Sequence, residues 1–258
     1  MAVVKTPEQV EKMRIAGRVL SQCLDMLVEE AVPGTSGKAL DTLAETFIRD
    51  HNGVPAFKNY GIDKGMPPFP ASICFSRNHV LVHGVPSEEG MVEDGDIISI
   101  DCGLSIDGWF ADAARLFSIG ELVAEDDQRL IASSKKALDA GINACRVGNT
   151  LGDICSAIQV SIACSSLYNV VQFCGHAIGQ KMHEAPQVPN FGKSGTGIDL
   201  GVGMIFCLEP MLLKNNVGLG VLPDKWTIVT LDKSRAAHIE EMILITENGP
   251  EILTAQNL

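Results

Sequence analysis

An α+β fold, antiparallel strands with helices set apart from them, is what this 258-residue chain predicts. The central stretch 95–112, GDIISIDCGLSIDGWFAD, reads as a hairpin: Ile97, Ile98 and Ile100 suit a buried strand, and Asp107-Gly108 suits a two-residue type I′ turn. Two stretches of helical periodicity precede it and two follow. A weak internal repeat relates the halves. Gly95–Asp101 parallels Gly203–Glu209, each a Gly, a mainly apolar strand and a closing acid. Upstream, Val32–Ser36 echoes Arg146–Thr150, with an apolar residue (Leu40, Ile154) six positions after each Gly. Halves folded about a pseudo-two-fold would bring Asp101 and Glu209 together.

In chain order, Thr6-Pro7-Glu8-Gln9 is a helix start with capping-box spacing and Pro at the first helical position. Val10, Met13, Gly17, Leu20, Leu24 and Leu27 then mark one apolar face, and Pro33-Gly34 ends it. Ser36 caps a second helix carrying Leu40, Leu43, Ala44 and Phe47, which stops near His51-Asn52-Gly53. Residues 54–72 hold five of the twelve prolines and read as a surface loop whose Tyr60, Met66 and Phe69 suit a pocket lining as well as local packing. Ile73–His83 is strand-like. After the hairpin, Glu125–Cys145 reads as a third helix, and a fourth runs from a Thr150 cap to about Leu167. Strands are expected at Asn169–Cys174, Met204–Leu208, Trp226–Thr230 and Ile239–Thr246. No linker or low-complexity tract interrupts this, so residues 1–258 are expected to form one domain.

Composition narrows the classes. A 46 % hydrophobic, 20 % charged chain is ordinary for a globular protein. With net charge −12, pI about 4.9 and no Lys/Arg run, it lacks the electrostatic footprint of a nucleic-acid or anionic-membrane partner. A cationic substrate is the natural pairing. Eight Cys without a C-x-x-C pair, and a start MAVVKTPEQVEKM without an apolar h-region, suggest reduced thiols in a cytoplasmic protein.

The hairpin sets a geometric expectation. If Ile106 faces Trp109, then Gly103 faces Asp112, and Asp101 shares the Asp112 face as a diagonal neighbour roughly 7–8 Å away. Two carboxylates so placed can reach inward to metal ions about 3.5–4 Å apart. Three later stretches add ligand types: Cys174–Gly179 puts His176 beside Gly175, Met204–Met211 places Glu209 before Pro210, and Glu240-Glu241 enters an apolar strand. Each alone reads more readily as a solvated or packed residue. Several acids entering apolar strands together need a common compensation, and metal ions supply it.

The set resembles the type I methionine aminopeptidases, of the pita-bread metallopeptidase fold, over nearly the whole chain. The likeness rests on N-x-V-x-x-H-G-x-P at Asn78–Pro86, D-x₁₀-D at Asp101/Asp112, Cys174–Gly179, Met182-His183-Glu184-x-Pro186-Gln187, Glu209-Pro210-Met211, Trp226, and Glu240 ahead of an apolar strand. It implies a pseudo-two-fold antiparallel sheet with four main helices on its outer face. It also implies a dinuclear metal hydrolase that removes the initiator Met from nascent polypeptides, with a small second residue preferred. On that resemblance Asp101 holds one metal, Asp112 and Glu240 bridge both, and His176 and Glu209 complete the second. Four carboxylates offset two divalent cations, and the metals activate a bridging water near neutral pH. Glu209 is the candidate general acid/base, and His83 and His183 contact the substrate and the tetrahedral intermediate. Phe69, Cys74, Met182 and Trp226 are expected to shape the Met pocket, although the family more often has Tyr and Phe at the first and third of these.

Oxygen-rich ligands with a single His favour Mn²⁺ or Fe²⁺ over a structural zinc site, with Co²⁺ suitable in vitro. Ala177 and Glu241 also depart from the family pattern, where Gly and His are common. His51, His79 and His238 match nothing functional and are assigned to surface or packing. A monomer, with ribosome docking as an open expectation, completes the reading. The rivals are a proline-directed relative, which usually carries an extra N-terminal domain, and a catalytically inactive binding module of the same fold.

Overall fold

The structure, a computed structural model, describes residues 4–62, 65–122 and 124–256, so Met1–Val3 and residues 63 and 64 of the proline-rich loop lie outside it. Among the described residues there are four helices: α1 (Pro7–Glu30), α2 (Gly37–Asp50), α3 (Glu125–Ala144) and α4 (Leu151–Ala163). The predicted starts are realised. Thr6 Oγ1 accepts from Gln9 N at 3.3 Å while Gln9 Oε1 accepts from Thr6 N at 3.0 Å, a reciprocal capping box. Ser36 Oγ accepts from Ala39 N at 3.1 Å. The α1 face from Val10 to Leu27 is buried as its spacing predicts. On α2 the buried stripe is rotated: Ile48 is buried while the predicted Leu43 is exposed. Helix α4 stops at Ala163 rather than near Leu167.

The central hairpin pairs Ile97–Ile106 with Trp109–Ser118 in the expected register, Ile106 opposite Trp109 and Gly103 opposite Asp112. Asp107 and Gly108 take φ of 50° and 76°, the two positive values that a type I′ turn requires. Ile73–Arg77 and the two-residue strand Val54–Pro55 pair in succession along the other edge of Ile97–Ile106. The second large sheet runs Gly249–Ile252, Glu241–Thr246, Ile205–Leu208, Cys174–Ala177, Glu184–Pro189, with neighbours antiparallel. Helices α1 and α2 bury their apolar faces with the first sheet, and α3 and α4 with the second. The sheets meet where Ala114 and Glu240 exchange both backbone hydrogen bonds at 3.1 Å.

Several strand expectations shift. Ile73–His83 is two strands, Ile73–Arg77 and Val80–Val82, because Asn78 turns the chain at φ 57°. Asn169–Cys174 is not one strand: Tyr168–Asn169 and Cys174–Ala177 belong to different sheets. Trp226–Thr230 shortens to Ile228–Thr230. Asp101 lies in mid-strand rather than at a strand end.

Candidate metal centre

The hairpin register puts Asp101 and Asp112 on one face and aims both into a cavity of about 190 Å³. Phe69, Cys74, His83, Asp101, Asp112, His176, Met182, His183, Glu209, Trp226 and Glu240 all line this cavity, with Tyr60, whereas Met66 is exposed outside it. Its floor is acidic. Carboxylate oxygens of Asp101, Asp112 and Glu240 lie within 4.8 Å of one another. His176 Nε2 stands 3.7 Å from Asp112 Oδ2 and 4.0 Å from Glu209 Oε1. Its Nδ1 lies 3.1 Å from the carbonyl of Ala177; a donor there leaves the Nε2 lone pair facing the acids.

Strand pairing explains the convergence. Cys174–Ala177 pairs with Ile205–Leu208, which pairs with Glu241–Thr246, so His176, Glu209 and Glu240 reach one place from positions far apart in sequence. Gly175 serves this pairing directly: a Cβ there would stand 2.2 Å from the carbonyl oxygen of Cys207. The backbone that approaches closely beside His176 is therefore the neighbouring strand.

Burial dominates the electrostatics of the floor. It raises Asp101 to about 7, with Glu209 adding to the rise and His238 opposing it. Burial, followed by the other acids, pushes Asp112 and Glu240 well above the usual carboxylate range. Burial lowers His176, and lowers His83 to about 4, which favours neutral rings at pH 7. His83 also sits at φ 57°, a left-handed conformation more common for His than for most residues but still held by its surroundings.

One side of the cavity is apolar. Phe69, Cys74, Met182 and Trp226 are buried there with Phe57. Phe69 meets Trp226 edge-on at 5.4 Å, and Trp226 Nε1 donates to Pro67 O at 3.0 Å, so the indole is held by a ring contact and by its N–H. His183 is exposed at the mouth, with Nδ1 3.0 Å from the Tyr60 hydroxyl. Acids and aromatics thus share a single site.

The model of metallopeptidase family M24 matches residues 11–247. The chain belongs to family M24. It is 43 % identical over 255 residues to the methionine aminopeptidase of Clostridium acetobutylicum, covering 98 % of this chain and 99 % of that one. The methionine aminopeptidase of Thermotoga maritima superposes with a TM-score of 0.93 at 36 % identity, over 99 % of this chain and 100 % of that one. That of Rickettsia prowazekii gives 0.92 at 37 % identity, with the same coverage. The fold is the pita-bread fold of this M24 group.

Family membership implies divalent metal ions, and this chain's own M24 site fits them. Asp101 Oδ1, Asp112 Oδ1 and Glu240 Oε1 are buried without a hydrogen-bond partner. Carboxylates in that state need cations. The donor set of four acids and imidazole suits hard or borderline divalent ions. One assignment is corrected: His238, expected at the surface or in packing, is 2 % exposed and lines the site, with Nε2 3.6 Å from Glu209 Oε2. Sequence reasoning also passed over Phe57, whose burial against Phe69 no local pattern announces. His51 does sit at the surface, stacked on Phe47.

Proposed function

We propose that this chain is a dinuclear metal-dependent aminopeptidase that removes N-terminal methionine from nascent polypeptides, with a small second residue preferred. The observation that carries the reading is the junction of an acidic floor with an apolar side in one cavity. Asp101, Asp112, His176, Glu209 and Glu240 would hold the two ions. When bound, divalent cations supply Lewis acidity and lower the pKa of a water in their reach.

The protein's own groups do the rest. Phe69, Cys74, Met182 and Trp226 take the unbranched thioether side chain, which burial of apolar area favours. The acidic floor favours the cationic α-amine of the substrate. His83 and His183 donate hydrogen bonds toward the scissile carbonyl, each donor aimed at the developing oxyanion contributing about 3 kcal/mol. Glu209 carries the proton to the leaving amine. Mn²⁺ or Fe²⁺ is the resident metal in this reading, and the enzyme works as one cytoplasmic domain, a monomer meeting its substrates as they emerge from the ribosome.

The deciding assay offers Met-Ala-Ser and Ala-Pro peptides to Mn²⁺-loaded protein, with a chelator control. Chelator-sensitive release of Met from the first peptide alone is expected. Cleavage of only the Ala-Pro peptide would make the chain a proline-directed relative, and turnover of neither by metal-bound protein would make it a binding module.

A further inference from the structure

We propose that His238 supplies a second imidazole ligand to the metal centre, beyond the five side chains already assigned. This rests on the dinuclear reading above. His238 belongs to the short strand Ala236–His238, paired with Met211–Leu213 so that Met211 lies opposite it. Ser99 Oγ donates to its carbonyl at 2.8 Å, pinning the backbone against the first sheet. The side chain is 3 % exposed, and its Nε2 is buried with no hydrogen-bond partner.

The spacing of its neighbours identifies what it lacks. Nε2 is 3.6 Å from Glu209 Oε2 and 3.9 Å from Glu240 Oε2. Those gaps exceed the roughly 2.7–3.2 Å of a hydrogen bond. Two donors each about 2.1 Å from one ion stand about 3.0 Å apart at a right angle and about 4.2 Å apart when opposite. Both gaps fall between these limits. His176, an assigned ligand, shows the same pattern at 3.7 Å from Asp112 and 4.0 Å from Glu209. The two imidazoles therefore flank the Glu209 carboxylate alike, His176 on Oε1 and His238 on Oε2. A buried nitrogen facing two carboxylates without bonding either is satisfied when a cation sits among all three.

The test compares full-length wild type with H238Q during Co²⁺ titration, read by proton NMR of hyperfine-shifted, solvent-exchangeable imidazole N–H signals. The count is expected to fall by one in H238Q, and the affinity of one Co²⁺ to weaken at least about tenfold. In the wild type itself, the ¹⁵N resonance assigned to His238 Nε2 is expected to shift on Zn²⁺ addition as that of His176 does, which makes the result independent of how the variant folds. An unchanged Co²⁺ spectrum and affinity in H238Q, or a His238 nitrogen unmoved by Zn²⁺ while His176 responds, overturns the His238 assignment alone. Wild-type protein that takes up no Co²⁺ overturns it together with the peptidase reading.

Discussion

Glu240 and Glu241 are adjacent, both largely buried, and both raised by that burial, yet they resolve it in opposite ways. Strand alternation sends their side chains to opposite faces. Glu241 finds its cation within the chain: Arg115 Nη1 donates to it at 3.0 Å, and the Thr254 hydroxyl donates to its other oxygen. Arg115 also reaches Asp25 at 3.6 Å and Ser21 at 3.3 Å, tying α1 to both sheets. Glu240 faces Asp101, Asp112 and Glu209, and its Oε1 has no hydrogen-bond partner. One acid is compensated by the fold, and its neighbour, on the proposed function, would be compensated by ions from solution. Structural and catalytic carboxylates are thus told apart by where the opposing charge comes from.

Mutations can break that contrast. Asp112→Asn should cut kcat/KM by more than about 10³-fold while the chain stays folded, since it removes a charge from the proposed metal-ligand set. Near-wild-type turnover of Met-Ala-Ser by this variant would dissolve the distinction. Arg115→Met should do the reverse. Removing one partner of a buried pair costs about 3–5 kcal/mol, read as a lower urea midpoint, with kcat/KM of the folded fraction within about twofold of wild type. His183→Ala should lower kcat about 10²-fold with little change in KM, as a contact that strengthens in the transition state requires. A pure KM effect would reassign His183 to ground-state binding.

A pH series sharpens the same comparison. Without metal, the folded chain keeps protons on Asp101, Asp112 and Glu240 that the unfolded chain releases near pH 4. More protons bound in the folded state mean that stability falls as pH rises, across the window from about 4 to about 7 for Asp101. Urea midpoints in EDTA should therefore drop between pH 5 and pH 8, and saturating Mn²⁺ should cancel the drop. A midpoint in EDTA that does not fall would show the acid cluster to be better solvated than its burial implies. The smallest effect is expected from Phe69→Tyr, which adds a hydroxyl to a residue 3 % exposed: about 1 kcal/mol of stability, with kcat unchanged.

Local chemistry decided what could be read in advance. Asp107-Gly108 dictates its own turn, the turn dictates register, and register places Asp101 beside Asp112. The caps at Thr6 and Ser36 work within three residues. The acids were legible because charge inside apolar strands demands an explanation. His238 was not, since its place depends on pairing with Met211, 27 positions earlier by the numbering, and Ala-Ala-His carries no signal of that partner. Short strands such as Met211–Leu213 and Leu219–Val221 escaped because three residues define no period, and for Met211–Leu213 the partners are also distant. The departure at Glu241 acquires a physical sense only once Arg115 is seen across from it.

The paired amides of Ala114 and Glu240 give the molecule a seam, and the proposed ion-binding groups are sewn along both edges of it. Cations seated there would act as rivets between two leaves already joined by backbone, packing and the Arg115–Glu241 pair. Amide hydrogen exchange along 112–115 and 239–242 should therefore slow sharply when Mn²⁺ is added, making the enzyme's rigidity a gauge of its metal content.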